Sequence, residues 1–282
     1  MCSAQDAVKV PSVSIIVPTY NSAKTLSMCL ESVVNQCLHK EVLVVDNYSE
    51  DETRQIAEKF GAKIIFHRGT QSAARNAGLA QAKGDYILFL DSDQRLEEGV
   101  IKDCLSTCLT YGVEAVKIPE VFVGLSFWGK CSALWKNRMV RAWGFNGGIP
   151  RFYKRNILLR YSAFQGNLRL WEDLELYQRL KRFGLRETWC RKHIIHYEIG
   201  SLQDITRKYL TYGRSIAAFK SARVKVPYNI TLKLAIPTVV QLLKDPGKAI
   251  NVFLGCLFLL IVKSFSLLLG FVLGLGGRVT NK

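Results

Sequence analysis

Short apolar runs and amphipathic stretches alternate along the first ninety or so residues. Val13-Ser14-Ile15-Ile16-Val17-Pro18 is a β-branched run that stops at a proline and a Thr-Tyr-Asn-Ser turn, the pattern of a buried strand. Over residues 23–35 the apolar Leu26, Cys29, Leu30, Val33 and Val34 recur at helical spacing behind Asn21 and Ser22, which predicts a helix with a polar N-cap. Residues 41–46 predict a second strand ending on a carboxylate. Ser49-Glu50-Asp51-Glu52 matches an S-x-x-E capping box, opening a helix to about residue 60. A brief strand at 63–66 and an Ala-rich helix at 71–83, stopped by Gly84, lead to a strand at 86–90 that is apolar throughout, as a central strand covered on both faces would be. Strands alternating with helices predict a parallel α/β sheet, whose ligands gather beyond the carboxyl ends of the strands. Residues 18–21, Asp46 and Asp91-Ser92-Asp93 all fall at that rim.

Beyond residue 120 the pattern changes. Residues 127–143 put Trp128, Cys131, Trp135 and Met139 on one helical face with Lys130, Lys136, Arg138 and Arg141 interleaved. This suits a helix in a membrane interface or an ordinary amphipathic core helix. The helix at 171–180 opens on Glu172 and Asp173, and Leu174, Tyr177, Leu180 and Phe183 trace its expected buried stripe. Residues 250–277 carry a single charge, Lys263, and are long enough to span a bilayer. A lysine near the middle is costly in a lipid-exposed span, and Gly255, Gly270 and Gly274 loosen the helix, so a single span and a re-entrant hairpin both stay open. Upstream, 232–243 reads as an interfacial helix broken at Pro237.

Charge sharpens this picture. The net charge of +16 is uneven: 12 basic against 16 acidic residues over 1–120, 21 against 6 over 121–230, and 6 against 1 over 231–282. A basic half running into an apolar end predicts an anionic membrane surface. A nucleic-acid partner is not expected, because the basic stretch holds no recognisable binding module. Lys244, Lys248 and the basic middle place the rest of the chain on the cytoplasmic side. The eight cysteines form no C-x-x-C pair and no secretory signal opens the chain, so they read as reduced, hydrophobic fillers in a cytosolic compartment. Cys104 and Cys108 fit one helix face.

Two acidic constellations carry chemistry. Asp91-x-Asp93, at the end of a buried strand, offers the hard oxygen ligands that Mg²⁺ or Mn²⁺ carrying a diphosphate requires, although a solvated turn has the same spacing. Glu172 and Asp173 are favoured by the helix dipole alone, and beside a cleft such a carboxylate also serves as a general base toward a hydroxyl.

Taken in order, these segments resemble the inverting glycosyltransferases of family 2, with the GT-A fold, from about residue 13 to about residue 213. The resemblance lies in the opening VSIIVPTYN strand, VVDNYSEDET over 44–53, Ala74-Arg75-Asn76-Ala77-Gly78, GDYILFLDSD over 84–93, and Glu172-Asp173 with Glu175 and Arg179-Leu180. It implies that Pro18, Thr19 and Tyr20 contact the nucleotide base, that Asp46 accepts a hydrogen bond from its ring, and that Arg75 lies near base and diphosphate. It further implies that Asp91 approaches ribose and metal, Asp93 ligates the metal, Asp173 is the catalytic base beside Glu172, and His196 reaches the metal or diphosphate. Asn47 stands where the commonest family form has a second aspartate.

The expected architecture is therefore an α/β GT-A catalytic domain over 1–230, with a nucleotide-sugar half at about 10–120 and an acceptor half at about 121–230, followed by a hydrophobic membrane-anchoring segment over 231–282. The expected reaction is metal-dependent inverting transfer from a nucleotide-sugar donor, a UDP-sugar first, to a hydroxyl of a lipid-linked glycan or glycolipid. A polyprenyl phosphate is the alternative acceptor, but its oxygen is already anionic and needs no base, so the Glu172-Asp173 pair favours a hydroxyl. An inactive membrane scaffold of the same fold is the non-enzyme alternative.

Overall fold

The computed structural model describes residues 11–36, 39–143, 148–166, 168, 170–198, 200–219, 239–240, 242–244 and 250–276. Strands β1 (Val13–Thr19), β2 (Lys40–Asp46), β3 (Lys63–Phe66) and β4 (Tyr86–Phe89) form the first part of a sheet. They alternate with helices α1 (Ala23–Val34), α2 (Thr53–Lys59) and α3 (Gln71–Gln81). The four strands pair in parallel, as the sequence predicts, and their order is β3-β2-β1-β4. Beyond β4 the sheet changes direction. β8 (Phe152–Lys154) runs antiparallel to both β4 and β6 (Ala115–Lys117), and β9 (Glu187–Trp189) pairs in parallel with β6. A second, three-stranded sheet has the order β5 (Gln94–Leu96), β10 (Ile194–Glu198), β7 (Glu120–Gly124).

Alternation along the strands divides the core into two layers. Val13, Ile15 and Val17 of β1, with Leu88 of β4, face α1 and α4 (Val100–Tyr111). Ile16, Ile87 and Phe89 face α3, α6 (Arg155–Arg160) and α7 (Glu172–Arg182). Both faces of β1 and β4 are therefore dry, which is why their sequences are continuous apolar runs. Gly78 is a consequence: a Cβ there would sit 2.5 Å from Ile16 Cγ2, so only glycine lets α3 lie this close to the sheet.

The end of the chain builds a helical cap. α5 (Phe127–Trp143), α8 (Leu202–Phe219) and α9 (Ile250–Gly276) pack together. Glycines set the closest approach of α8 and α9, since a Cβ on Gly270 would fall 2.2 Å from the Leu210 carbonyl oxygen. α9 is one unbroken helix, so the hairpin alternative is not what forms. It is the one described helix long and apolar enough to cross a membrane. Lys263 does not face outward: it is buried, its Nζ donates to Ser132 Oγ at 3.1 Å, and it lies 5.3 Å from the Tyr209 ring centre.

Several local expectations are corrected. The apolar face of α5 is covered by protein, not by a lipid interface: Cys131 is fully buried with Cys256 and Leu259, and Trp128 and Trp135 pack on the same cluster. Ser49 does not cap α2. Its hydroxyl and N–H both donate to Asp46, and the Thr53 N–H goes to Asp51 instead. On α7 the inner face carries Glu172, Glu175, Leu176 and Leu180 in place of Leu174 and Phe183, because arginines neutralise the two carboxylates there. Of the helix expected at 232–243, only 239–240 and 242–243 lie within the described residues, and Leu242 is buried against Cys131 and Cys256. The six described cysteines are buried and free, Cys104 and Cys108 among them on one face of α4.

Glu41 ties the edge of the sheet to the turn before β4. Burial disfavours its charged form, but the Ser14 hydroxyl and the N–H groups of Lys83 and Gly84 donate to it and hold its pKa below the ordinary value. A depressed carboxylate stabilises the fold above its unfolded pKa of about 4.3 and loses that contribution as pH falls. The melting temperature of Glu41→Gln is expected to lie below wild type at about pH 7, with the gap closing toward about pH 4. Equal gaps at both pH values would remove this role from Glu41.

Candidate active site

The rim expected at the strand ends is present. Thr19 and Asp46 are paired across β1 and β2, and Asp91 follows β4 directly. From there an unbroken run of charged groups crosses the molecule. Arg75 of α3 donates to Asp91 Oδ1 at 2.8 Å and to Glu172 Oε1 at 3.0 Å. Arg151, just before β8, donates to Asp91 Oδ2 at 3.1 Å and to Glu120 Oε1 at 2.6 Å. Glu120 Oε2 lies 3.1 Å from His196 Nδ1, and His196 Nε2 lies 3.4 Å from Asp93 Oδ2. The order is Glu172, Arg75, Asp91, Arg151, Glu120, His196, Asp93.

Each neighbour sets the next group's charge. Burial disfavours the Asp91 carboxylate, yet Arg151 and Arg75 hold it well below the usual carboxylate range. Glu120, equally buried, is lowered to about 2, chiefly by Arg151 and then by His196. Burial opposes a charged His196, but Asp93 and Glu120 outweigh it and raise its pKa to about 9. Burial and the adjacent Asp173 push Glu172 upward against the pull of Arg75.

The motif around Arg75 acquires a physical meaning here. Asn76 clamps the backbone of Phe164, donating to its carbonyl at 2.7 Å and accepting its N–H at 3.0 Å. Phe164 in turn lies under the Arg75 guanidinium, 5.3 Å away, and against Phe89. Arg179 of α7 pairs with Glu175 at 2.7 Å and donates to the carbonyls of Tyr161, Ser162 and Ala163, so the loop presenting Phe164 is held from both sides. Trp171 enters α7 with φ 54°, a left-handed conformation rare for a bulky residue. After this turn Glu172 faces Arg75, while Asp173 lines a cavity of about 540 Å³ together with Phe89, Phe122, Met139, Ile149 and Trp189. Asp173 Oδ1 accepts the Leu174 N–H at 2.8 Å, and among the described residues no cation lies within ion-pair distance of it.

The structure reassigns part of the expected nucleotide site. Pro18 and Thr19 are buried, and Tyr20, 60% exposed, is the side chain of the three that faces outward. Asp46 is fully buried. Its oxygens accept from Thr19, Ser49 and Arg54, which organise the 46–53 turn. Arg75 sits in the charged run and the cavity wall, between Asp91 and Glu172. Asp91 has both oxygens engaged by Arg75, Gln71 and Arg151, so it is a hub between guanidiniums and not an open ligand.

A divalent cation fits the pair that remains. Asp93 keeps 41% of its side chain exposed and its Oδ2 lies 3.4 Å from the His196 Nε2, so the two side chains offer a neighbouring oxygen and nitrogen, a mixed donor set suited to Mn²⁺. Among the described residues no set of three or more His, Cys, Asp or Glu is arranged to hold a metal alone. Two protein ligands completed by substrate phosphate oxygens is how such ions are commonly bound. Sequence reading missed Glu120 and Arg151. Pro119-Glu120 and Pro150-Arg151 are each a charged residue after a proline at a strand entrance, a signal too common to select them.

Residues 14–172 match the profile of "Glycosyl transferase family 2", more than half of the chain. The chain belongs to that family. Among curated relatives of this family, poly(ribitol-phosphate) beta-N-acetylglucosaminyltransferase TarS of Staphylococcus aureus is 40% identical over 100 residues, covering 32% of this chain and 18% of TarS. The first curated relatives matched are spanned over only 18% to 38% of their length. The solved structure of S. aureus TarS 1–349 in complex with UDP-GlcNAc superposes with TM-score 0.54 and 19% identity over 91% of this chain and 81% of that one. Mannosyltransferase PcManGT from Pyrobaculum calidifontis, in complex with GDP-Man and Mn²⁺, gives 0.55 and 18% over 97% and 88%. These neighbours establish the GT-A fold for this family 2 chain.

If Arg151 is the clamp between Asp91 and Glu120, Arg151→Met removes the shared cation and leaves Asp91 to Arg75 and Glu120 to His196 alone. Thermal or urea unfolding is expected to show a loss of roughly 3–5 kcal/mol, partly restored by adding Glu120→Gln. Wild-type stability in the single variant would show that the clamp carries no stabilisation.

Proposed function

We propose that this protein is an inverting glycosyltransferase that moves a sugar from a nucleotide-sugar donor, a UDP-sugar first, to a hydroxyl of a membrane glycolipid or lipid-linked glycan. The observation that carries this reading is the divergence of the Glu172-Asp173 pair: one carboxylate is held by Arg75, and the next lines the cavity without an ion pair among the described residues. Asp173 is the general base, taking the proton of the acceptor hydroxyl as it attacks the anomeric carbon from the face opposite the leaving group. Glu172 positions Arg75, and Tyr20 provides an exposed ring for the base at the rim. Asp93 and His196 hold a divalent cation at the diphosphate, with Asp91 behind them fixing the turn. When bound, that cation offsets the charge developing on the departing diphosphate. The complexes of TarS with UDP-GlcNAc and of PcManGT with GDP-Man and Mn²⁺ support a nucleotide-sugar donor and a divalent ion.

The membrane side of the proposal rests on α9. Its outer face exposes Leu254, Phe258, Ile261, Phe265, Leu268 and Val272, which recur three and four residues apart as one apolar stripe. In this reading lipid covers that stripe, and the basic residues near it in the sequence, Lys244 among them, support a catalytic domain on the cytoplasmic side.

The test is transfer by the full chain in membranes with a panel of UDP- and GDP-sugars, with Mn²⁺ or EDTA, comparing wild type with Asp173→Asn. Metal-dependent transfer to a lipid fraction, reduced at least roughly 100-fold in Asp173→Asn, is expected of a general base. Transfer that survives Asp173→Asn but not EDTA would move the acceptor to a phosphate, and absence of both turnover and nucleotide binding would leave a scaffold.

A further inference from the structure

One helix connects the cavity to the apolar end of the molecule. Toward its C-terminus α5 turns Met139 and Val140 into the cavity, while about one to three turns earlier Trp128, Cys131 and Trp135 pack on Cys256, Leu257 and Leu259 of α9. The far wall is Ile118, Phe122, Ile149 and Trp189. Three of the four charged side chains at the cavity are already engaged: Arg75 with Asp91 and Glu172, Arg151 with Asp91 and Glu120, and Glu120 with His196 as well. Asp173 is the fourth. The space beside the proposed base is therefore apolar on most sides, and the element forming one of its sides is also the support of the apolar helix.

A glycan brings a dense array of hydroxyls, each of which needs a partner once it leaves water. These walls offer few. We infer that the acceptor hydroxyl is borne directly on an apolar body, that of a membrane-resident lipid alcohol, and that this cavity holds the body while Asp173 meets the hydroxyl. The inference rests on the glycosyl-transfer reading above and moves its acceptor hydroxyl from a lipid-linked sugar to the lipid itself. In the step, the bond between the anomeric carbon and the acceptor oxygen forms as the bond to the diphosphate oxygen breaks. The electron pair of the broken bond leaves with the nucleoside diphosphate, and the hydroxyl proton passes to the Asp173 carboxylate. Val140, 38% exposed at the cavity edge, meets the apolar body where substitution disturbs the fold least.

The test uses the full chain in lipid nanodiscs with the donor found active in the preceding assay, offering farnesol, a sterol, or a water-soluble oligosaccharide as acceptor. A doxyl-labelled fatty alcohol is titrated in parallel, and its quenching of tryptophan fluorescence is compared between wild type and Trp189→Phe. The expected result is transfer to a lipid alcohol, loss in Trp189→Phe of the part of the quenching that a doxyl-labelled phospholipid does not produce, since Trp128 beside Phe258 is quenched by either probe, and a KM for the alcohol raised about tenfold in Val140→Asp. In that variant kcat stays within about twofold, and Val140→Leu behaves as wild type. Oligosaccharide accepted with equal kcat/KM, together with an unchanged KM in Val140→Asp, overturns the inference while glycosyl transfer stands. Wild type that consumes no donor with any acceptor sinks the transfer reading itself, and the quenching then reports separately whether a lipid alcohol enters the cavity.

Discussion

The site depends on one buried carboxylate held between two guanidiniums. Asp91 lies at the end of β4, and a lone carboxylate at that depth would neutralise itself or unfold its surroundings. Arg75 reaches it from α3 and Arg151 from the strand entrance on the other side. Because those arginines come from different halves of the chain, satisfying Asp91 also fixes how the halves meet. Each guanidinium then has capacity for a second carboxylate, and this brings Glu172 and Glu120 into place.

A common logic governs both acidic pairs. In Asp91-x-Asp93 the first carboxylate is locked by arginines and the second stays open beside His196. In Glu172-Asp173 the first is again locked, by Arg75, and the second lines the cavity. The buried partner supplies rigidity, and the free one is left to meet a ligand. Environment, and not residue type, assigns these roles, as expected where paired acids perform different tasks. The left-handed turn at Trp171 serves the same end, since it lets adjacent residues on one helix start address different neighbours.

The helical cap resolves a tension in the composition. A lysine in a long apolar helix is unfavourable wherever lipid surrounds it. Here the helix rotates Lys263 inward, against Ser132 of α5 and the ring of Tyr209 on α8, and leaves an apolar stripe outside. The same packing covers the tryptophan face of α5, which therefore supports the apolar helix from within.

Much of the first ninety residues was legible from sequence alone. Four strands, their parallel pairing and the polar rim follow from local runs and spacings, because burial on both faces of a strand is written into consecutive residues. Arg75, Asp91, Asp93 and His196, which the family motifs single out, lie in one charged run, and Asp173 lines the cavity beside it. Tertiary structure decided which carboxylate of each pair is bound and which is free, that Asp46 organises a turn, that Glu120 and Arg151 belong to the site, and that protein covers α5. The reason is distance along the chain. Arg75 meets Glu172 across 97 residues, Arg151 meets Asp91 across 60, and Lys263 meets Ser132 across 131. Local periodicity records which face of an element is buried, and it carries no information about which distant charge waits on the other side.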